Sequence, residues 1–289
     1  MKMRLGIFAI AVLLLPLAGI FLSGSGLSHL SISPPDGDDS IPATLRTTIM
    51  LLLYVLLINH TIKRLTGSGP LESGRAYFIR VSIASALTGW LLSYLNLFAA
   101  SWTVPQNHTF ILQILLYSPL FALLVPAVLV TRDLFGSFPG LRNSLIFRRT
   151  LPDIALTARV RTLAAVAILG LTGGAVWPAH LFWLFWLSPL ALLLALQLSW
   201  QEKTIFSKPQ SGDWSRLVFS ALSGIFIGNL AVITYQSNAY LQINLPNMMV
   251  AQTGLALFGL LCLQLGDLLA QESNTLSSQP ESVTVIRKS

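Results

Sequence analysis

Apolar residues gather into long blocks along the chain, separated by short polar or basic connections. Blocks of about 18 to 22 residues with few charges have the length a helix needs to cross a hydrocarbon core about 30 Å thick. None shows the polar-apolar alternation of a membrane barrel strand, and in hydrocarbon only a helix pairs its own backbone amides within one segment. The pattern predicts an all-α, polytopic helical bundle with about eight transmembrane helices, at 5–22, 42–59, 81–100, 110–131, 162–178, 181–199, 217–235 and 248–268. Residues 1–289 read as a single transmembrane domain, with 269–289 as a short cytoplasmic tail.

Basic residues test the frame of that reading, because Lys and Arg in short connections stay on the cytoplasmic side. Of the 18 Lys and Arg, all but Arg46 fall on one side of an eight-span layout, in the connections around residues 60–80, 132–161 and 200–216 and at both ends of the chain. The opposite connections, 23–41, 101–109, 179–180 and 236–247, have none. Both termini are expected to be cytoplasmic. The first block, after Lys2 and Arg4, is long for a signal peptide and lacks a clear Ala-x-Ala-type cleavage site, so it reads as a retained helix.

Composition agrees: 54% of residues are hydrophobic, 10% are charged and mean hydropathy is +0.70, whereas a soluble domain carries about 25% charge. A water-soluble globule is excluded. The net charge of +7 does not point to nucleic acid, since the basic residues lie between apolar blocks. The single cysteine, Cys262, leaves no internal disulfide or cysteine-based metal cluster. No connection exceeds about 30 residues, well short of a domain of 50 to 250 residues, so function is expected within the bundle, on its faces or through partners.

Small residues four apart, Ser85-Gly89-Ser93, Gly170-Gly174 and Ser220-Gly224-Gly228, mark faces where helix backbones can approach closely. A weak echo links Leu87-Thr88-Gly89 and Ser118-Pro119-Leu120 to Leu171-Thr172-Gly173 and Ser188-Pro189-Leu190. Parallel repeats with broken helices form the central site of some transporters.

Ionisable residues are costly at membrane depth and signal function there. Here Asp267 and Arg46 sit only at span ends, within reach of water or headgroups, which disfavours a proton-coupled pump or voltage sensor. The deeper polar residues, Asn96, Gln113, Gln197, Asn229, Gln252 and Gln264, suit hydrogen bonding between helices, with Asn96 and Asn229 as candidate ligand-lining positions. The chain has no His-Glu-x-x-His motif, no Gly-x-Ser-x-Gly elbow, no phosphate-binding glycine loop and no second aspartate to pair with Asp267 inside the membrane. Its four histidines are scattered. Two Asn-His-Thr sequons, at Asn59 and Asn107, read as chance matches.

Three segments stand out. In Ser33-Pro34-Pro35-Asp36-Gly37-Asp38-Asp39-Ser40, three carboxylates within four residues can ligate Mg²⁺ or Mn²⁺, hard cations that also bind phosphates. This acidic outer loop resembles those of membrane glycosyltransferases that use polyprenyl-linked sugars; the resemblance covers these eight residues and implies metal or general-base roles for Asp36 and Asp38. The connection 132–161 carries six arginines among apolar residues, with Arg142, Arg148 and Arg149 as candidate contacts for lipid headgroups or a partner. Trp177, Trp183 and Trp186 crowd the outer end of one hairpin, as in an interfacial aromatic belt.

The sequence reads as a bacterial cytoplasmic-membrane protein without a catalytic constellation or bound cofactor. It is expected to assemble with membrane-protein partners or to handle an apolar or lipid-like ligand. The competing readings are a Mg²⁺- or Mn²⁺-dependent transferase acting on a lipid phosphate at the outer face, with Asp36, Asp38 and Asp39 at the metal, and a small-solute permease.

Overall fold

The apolar blocks fold as helices that run past the hydrocarbon-length windows, because a hydropathy window stops at the first charges whereas the backbone hydrogen-bond ladder does not. The computed structural model describes residues 7–8, 10–16, 18, 40–104, 109–146, 156–202, 204–206, 209, 212–237 and 239–277. In order these form α1 (Ser40–Thr66), α2 (Pro70–Ser73), α3 (Arg75–Ala99), β1 (Trp102–Thr103), α4 (Phe110–Gly136), α5 (Pro139–Ser144), α6 (Leu156–Val176), α7 (Pro178–Ser199), α8 (Ser215–Gln236), β2 (Gln242–Ile243) and α9 (Met248–Ser277). Among the described residues, 7 helices are long and apolar enough to cross a membrane. The chain is a multi-pass membrane protein. The predicted span 5–22 lies partly outside the described residues; 10–16 are helical, with Phe8 and Val12 buried in the core.

The extra turns lie where charge accumulates. Helix α1 continues from the predicted end at residue 59 to Thr66, taking in Lys63 and Arg64, whose charge favours the negative end of the helix dipole. Helix α3 begins at Arg75 and α4 reaches Gly136, so Arg80, Arg132 and Asp133 belong to helices rather than loops. Asn59, in one sequon, is buried on α1 and its Oδ1 accepts the Leu71 amide of α2 at 2.9 Å. The other sequon's Asn107 lies outside the described residues.

Two apolar clusters share the bundle. One joins α1, α3, α4, α8 and α9 around Leu51, Val128 and Ile227. The other joins α3, α6, α7, α8 and α9 around Leu171, Phe185 and Leu263. Thus α3, α8 and α9 contribute to both. The sequence echo does not become a structural one: Gly89 faces Phe121, three residues after Ser118, whereas its counterpart Gly173 faces Leu181, seven residues before Ser188.

Ser85 braces the turn of α4 that leads into Pro126. Pro126 sits inside that helix, where a missing amide proton weakens the ladder. The Ser85 hydroxyl of α3 donates to the Phe121 carbonyl and accepts the Val125 amide at 3.0 Å. These are the two backbone groups an α-helix pairs at i and i+4, so a hydroxyl of the neighbouring helix reinforces the ladder just before Pro126.

The opposite end from the arginines is closed by a short cap. The strands β1 and β2 pair antiparallel, Trp102 with Ile243 and Thr103 with Gln242. Asn96 at the end of α3 donates Nδ2 to the Trp102 carbonyl at 2.7 Å and accepts the Trp102 amide at 3.1 Å. Asn244 donates to the Ala100 carbonyl and to Thr103 Oγ1. Trp186 stacks on Trp102 at 5.2 Å and donates Nε1 to Ser101 Oγ at 2.8 Å. One member of the predicted aromatic belt is therefore a half-buried structural residue, while Trp177 and Trp183 are exposed.

Helices α8 and α9 touch backbone to backbone. A Cβ added to Gly224 would lie 2.6 Å from the Gly259 Cα. Gly259→Ala is expected to destabilise by about 1–3 kcal/mol through overpacking, and Ser85→Ala by about 1 kcal/mol through the lost bridge. Reversible unfolding of the purified protein in mixed micelles measures both; an unchanged midpoint for Gly259→Ala would contradict the close crossing.

Candidate functional site

Arg132, Asp133, Arg142, Asp213, Arg216 and Asp267 gather where α4 ends and α8 begins. Helix α4 delivers Arg132 and Asp133 in its penultimate turn, α5 carries Arg142, α8 opens with Ser215 and Arg216, and α9 brings Asp267. Arg132, Asp133, Arg142, Asp213, Ser215 and Arg216 line a cleft of about 210 Å³, with Phe219 as an apolar wall.

Two ion pairs organise it. Arg132 grips Asp133 through Nε at 2.9 Å and Nη2 at 2.6 Å. Arg216 of α8 pairs with Asp267 of α9 through Nη2. The Asp267 side chain keeps only 17% of its exposure, so it is held by a protein cation at the span end where water or headgroups were the expected partners. Tyr77 of α3 donates its hydroxyl to the neighbouring Gly266 carbonyl at 3.1 Å, tying a third helix to this end.

The loop before α8 completes the frame. Asp213 Oδ1 accepts the Ser215 amide at 3.1 Å and its hydroxyl at 2.5 Å, which satisfies an amide at the start of α8 that has no partner within the helix. The Trp214 amide donates to the Leu145 carbonyl at 3.2 Å, and Ile146 forms a bridge with Asp213. These contacts fasten the segment after α5 to the start of α8 and so fix where Arg142 stands. Arg142 is exposed, and among the described residues its side chain has no hydrogen bond or ion pair. Phe138, Leu141 and Ile146 around it are also exposed.

Among the described residues, the sequence-predicted positions Arg142, Asn96 and Asn229 lie apart. Arg142 lies at the cleft, while Arg148 and Arg149 fall outside the described residues, as do Asp36, Asp38 and Asp39. Asn96 bonds the Trp102 backbone in the cap, and Asn229 exchanges two bonds with Gln252 of α9, at 2.7 and 3.0 Å. Deeper in the second cluster, Gln264 donates to Gln197 at 2.8 Å; Gln197 Nε2 and Gln264 Oε1 are buried and unbonded. Among the described residues no three of His, Cys, Asp and Glu are grouped to hold a metal ion. Sequence reasoning missed Arg132 and Arg216 as site residues. Their signal was present in part, since each lies at a span end, but only tertiary contact pairs Arg216 with Asp267.

What this arrangement offers chemically is guanidinium donors beside an apolar wall. Each Arg carries five N–H groups in a fixed fork, and the ion pairs with Asp133 and Asp267 use only some of them. Asp267→Asn is expected to lower stability by about 1–3 kcal/mol, and the added loss from Arg216→Gln in that background to be smaller than in the wild type. Thermal unfolding of the four proteins of this cycle checks it; strictly additive losses would contradict the pairing. No family model matches the chain, and no curated protein or solved structure matches it.

Proposed function

We propose that this is a non-catalytic multi-pass protein of a bacterial cytoplasmic membrane that handles a lipid-like ligand, alone or assembled with membrane-protein partners. Its arginine-rich end faces the cytoplasm in this reading, in keeping with the retention of positive connections on that side. The observation that carries the reading is Arg142, exposed at the mouth of the cleft among the exposed apolar residues Phe138, Leu141 and Ile146. A basic segment with apolar neighbours settles at the headgroup boundary, burying the apolar side chains while the cation meets anionic lipid.

The interior supports a binding role over a conduit. Asn229 bonds Gln252, Gln264 bonds Gln197, Tyr54 bonds Thr131 and Tyr117 bonds Tyr235. These polar groups join helices to one another. The transferase reading rests on Asp36, Asp38 and Asp39, which lie outside the described residues.

Extraction of the protein purified in a mild non-ionic detergent is expected to release a retained lipid or to reveal a co-purifying membrane protein. A monodisperse, partner-free protein with no bound lipid would overturn the proposal. Orientation is read separately. The one native thiol, Cys262, is buried, so an impermeant maleimide applied to intact spheroplasts is expected to label Thr103→Cys and to spare Arg142→Cys. The reverse pattern would place the arginine-rich end outside.

A further inference from the structure

We propose that the cleft between α4, α5 and α8 seats the phosphate of an anionic phospholipid, with one acyl chain lying along the outer face of α8. The inference rests on the lipid-handling reading above and names its ligand class and its site.

The head-group half follows from charge. Of the three arginines at the cleft, Arg132 is engaged by Asp133 and Arg216 by Asp267, while Asp213 is turned onto Ser215. Arg142 is the guanidinium that faces the cleft without an acidic partner among the described residues. A phosphate there would meet Arg142 and the remaining N–H groups of Arg132 and Arg216, the planar donors suited to phosphate oxygens. Asp133 and Asp213 also line the cleft; each accepts a hydrogen bond from its own neighbour, so neither presents a fully uncompensated charge to the ligand.

The chain half follows from helix geometry. Phe219, the apolar wall of the cleft, starts a row on α8 with Leu222, Phe226 and Ile233. At 100° per residue these four positions fall within about 60° of one another, a single face. Phe219 is buried, whereas Leu222, Phe226 and Ile233 are exposed. Tyr54 of α1 flanks the row, its ring centre 6.0 Å from that of Phe226. From Phe219 to Ile233 the helix rises about 21 Å, more than the half-thickness of a hydrocarbon core, about 15 Å. An apolar track that begins at a cationic cleft at the end of a membrane-spanning helix has the polarity and length of one phospholipid leg. A free phosphate would use the cleft alone.

The test titrates the full-length protein in a neutral detergent with dioleoyl-phosphatidylglycerol, dioleoyl-phosphatidylcholine and glycerol 1-phosphate, reading bound stoichiometry by native mass spectrometry. Phosphatidylglycerol is expected to bind most tightly, and Arg142→Gln to weaken it about tenfold, the scale of one hydrogen bond to a charged group. Leu222→Gln is expected to weaken the lipid and leave glycerol 1-phosphate unchanged. Arg159→Gln, the same charge change on α6, is expected to have no effect. Equal losses in the Arg142 and Arg159 variants, or none in Arg142→Gln, would overturn the site while leaving the broader lipid reading intact. Glycerol 1-phosphate binding as tightly as the lipid would reduce the cleft to a phosphate site and overturn the track. Spontaneous cross-linking of Leu222→Cys would assign the α8 face to a second copy of the chain and do the same. Wild-type protein that retains none of the lipids would remove both the site and the reading on which it rests.

Discussion

Hydrocarbon supplies no hydrogen bonds, and the rest of this structure depends on that constraint. Each polar group left unpaired at membrane depth costs several kcal/mol, so most polar residues of the spans are found where another part of the protein can meet them, with the Ser220 and Ser223 hydroxyls, Gln197 Nε2 and Gln264 Oε1 as exceptions. Ser85 bridges the α4 ladder beside Pro126. Asn229 and Gln252 exchange their amides between α8 and α9. The same constraint accounts for the position of the ion pairs. Arg132, Asp133 and Arg216 lie near helix ends and Asp267 near the end of its apolar span, where partial exposure lowers the cost of desolvation and a fixed partner offsets what remains.

Packing works with that constraint rather than beside it. With lipid tails as apolar as leucine, helices gain little by hiding apolar surface from lipid and rely instead on close contact and shared hydrogen bonds. The Gly224–Gly259 crossing brings two backbones together, and the Arg216–Asp267 pair joins the same two helices nearer the arginine-rich end. The crossing and the pair together hold the start of α8 against α9. That sets the position of Ser215 and Arg216, and through the Trp214–Leu145 bond that of the segment behind Arg142. A lipid-binding role would draw on this arrangement: a rigid polar rim made by paired charges, Arg142 without a carboxylate partner among the described residues, and an apolar helix face leading away from it.

Much of the fold was legible because one-dimensional signals carry it. Helix class and the approximate ends of the seven described spans follow from apolar run length, since the hydrocarbon thickness is a fixed ruler. The ends were read short wherever a helix continued into charged residues, as α1 does through Lys63 and Arg64 and α3 does from Arg75. The polar residues inside the spans were also visible as hydrogen-bonding groups. Their partners were not: Asn229 meets Gln252 on the following helix, but Asn96 turns back to Trp102 in a cap that needs Gln242, Ile243 and Asn244 from far along the chain.

By itself the sequence determined that this chain is a membrane bundle and that its positive charge lies at one end, because both properties depend on what each residue is and on how many like it stand in a row. The cleft was decided by tertiary structure. Arg132, Arg142 and Arg216 belong to three helices, and whether a guanidinium is neutralised or left available depends on which carboxylate folding brings within reach. Asp267 reaches Arg216 across 51 positions of sequence, and no local pattern encodes that meeting.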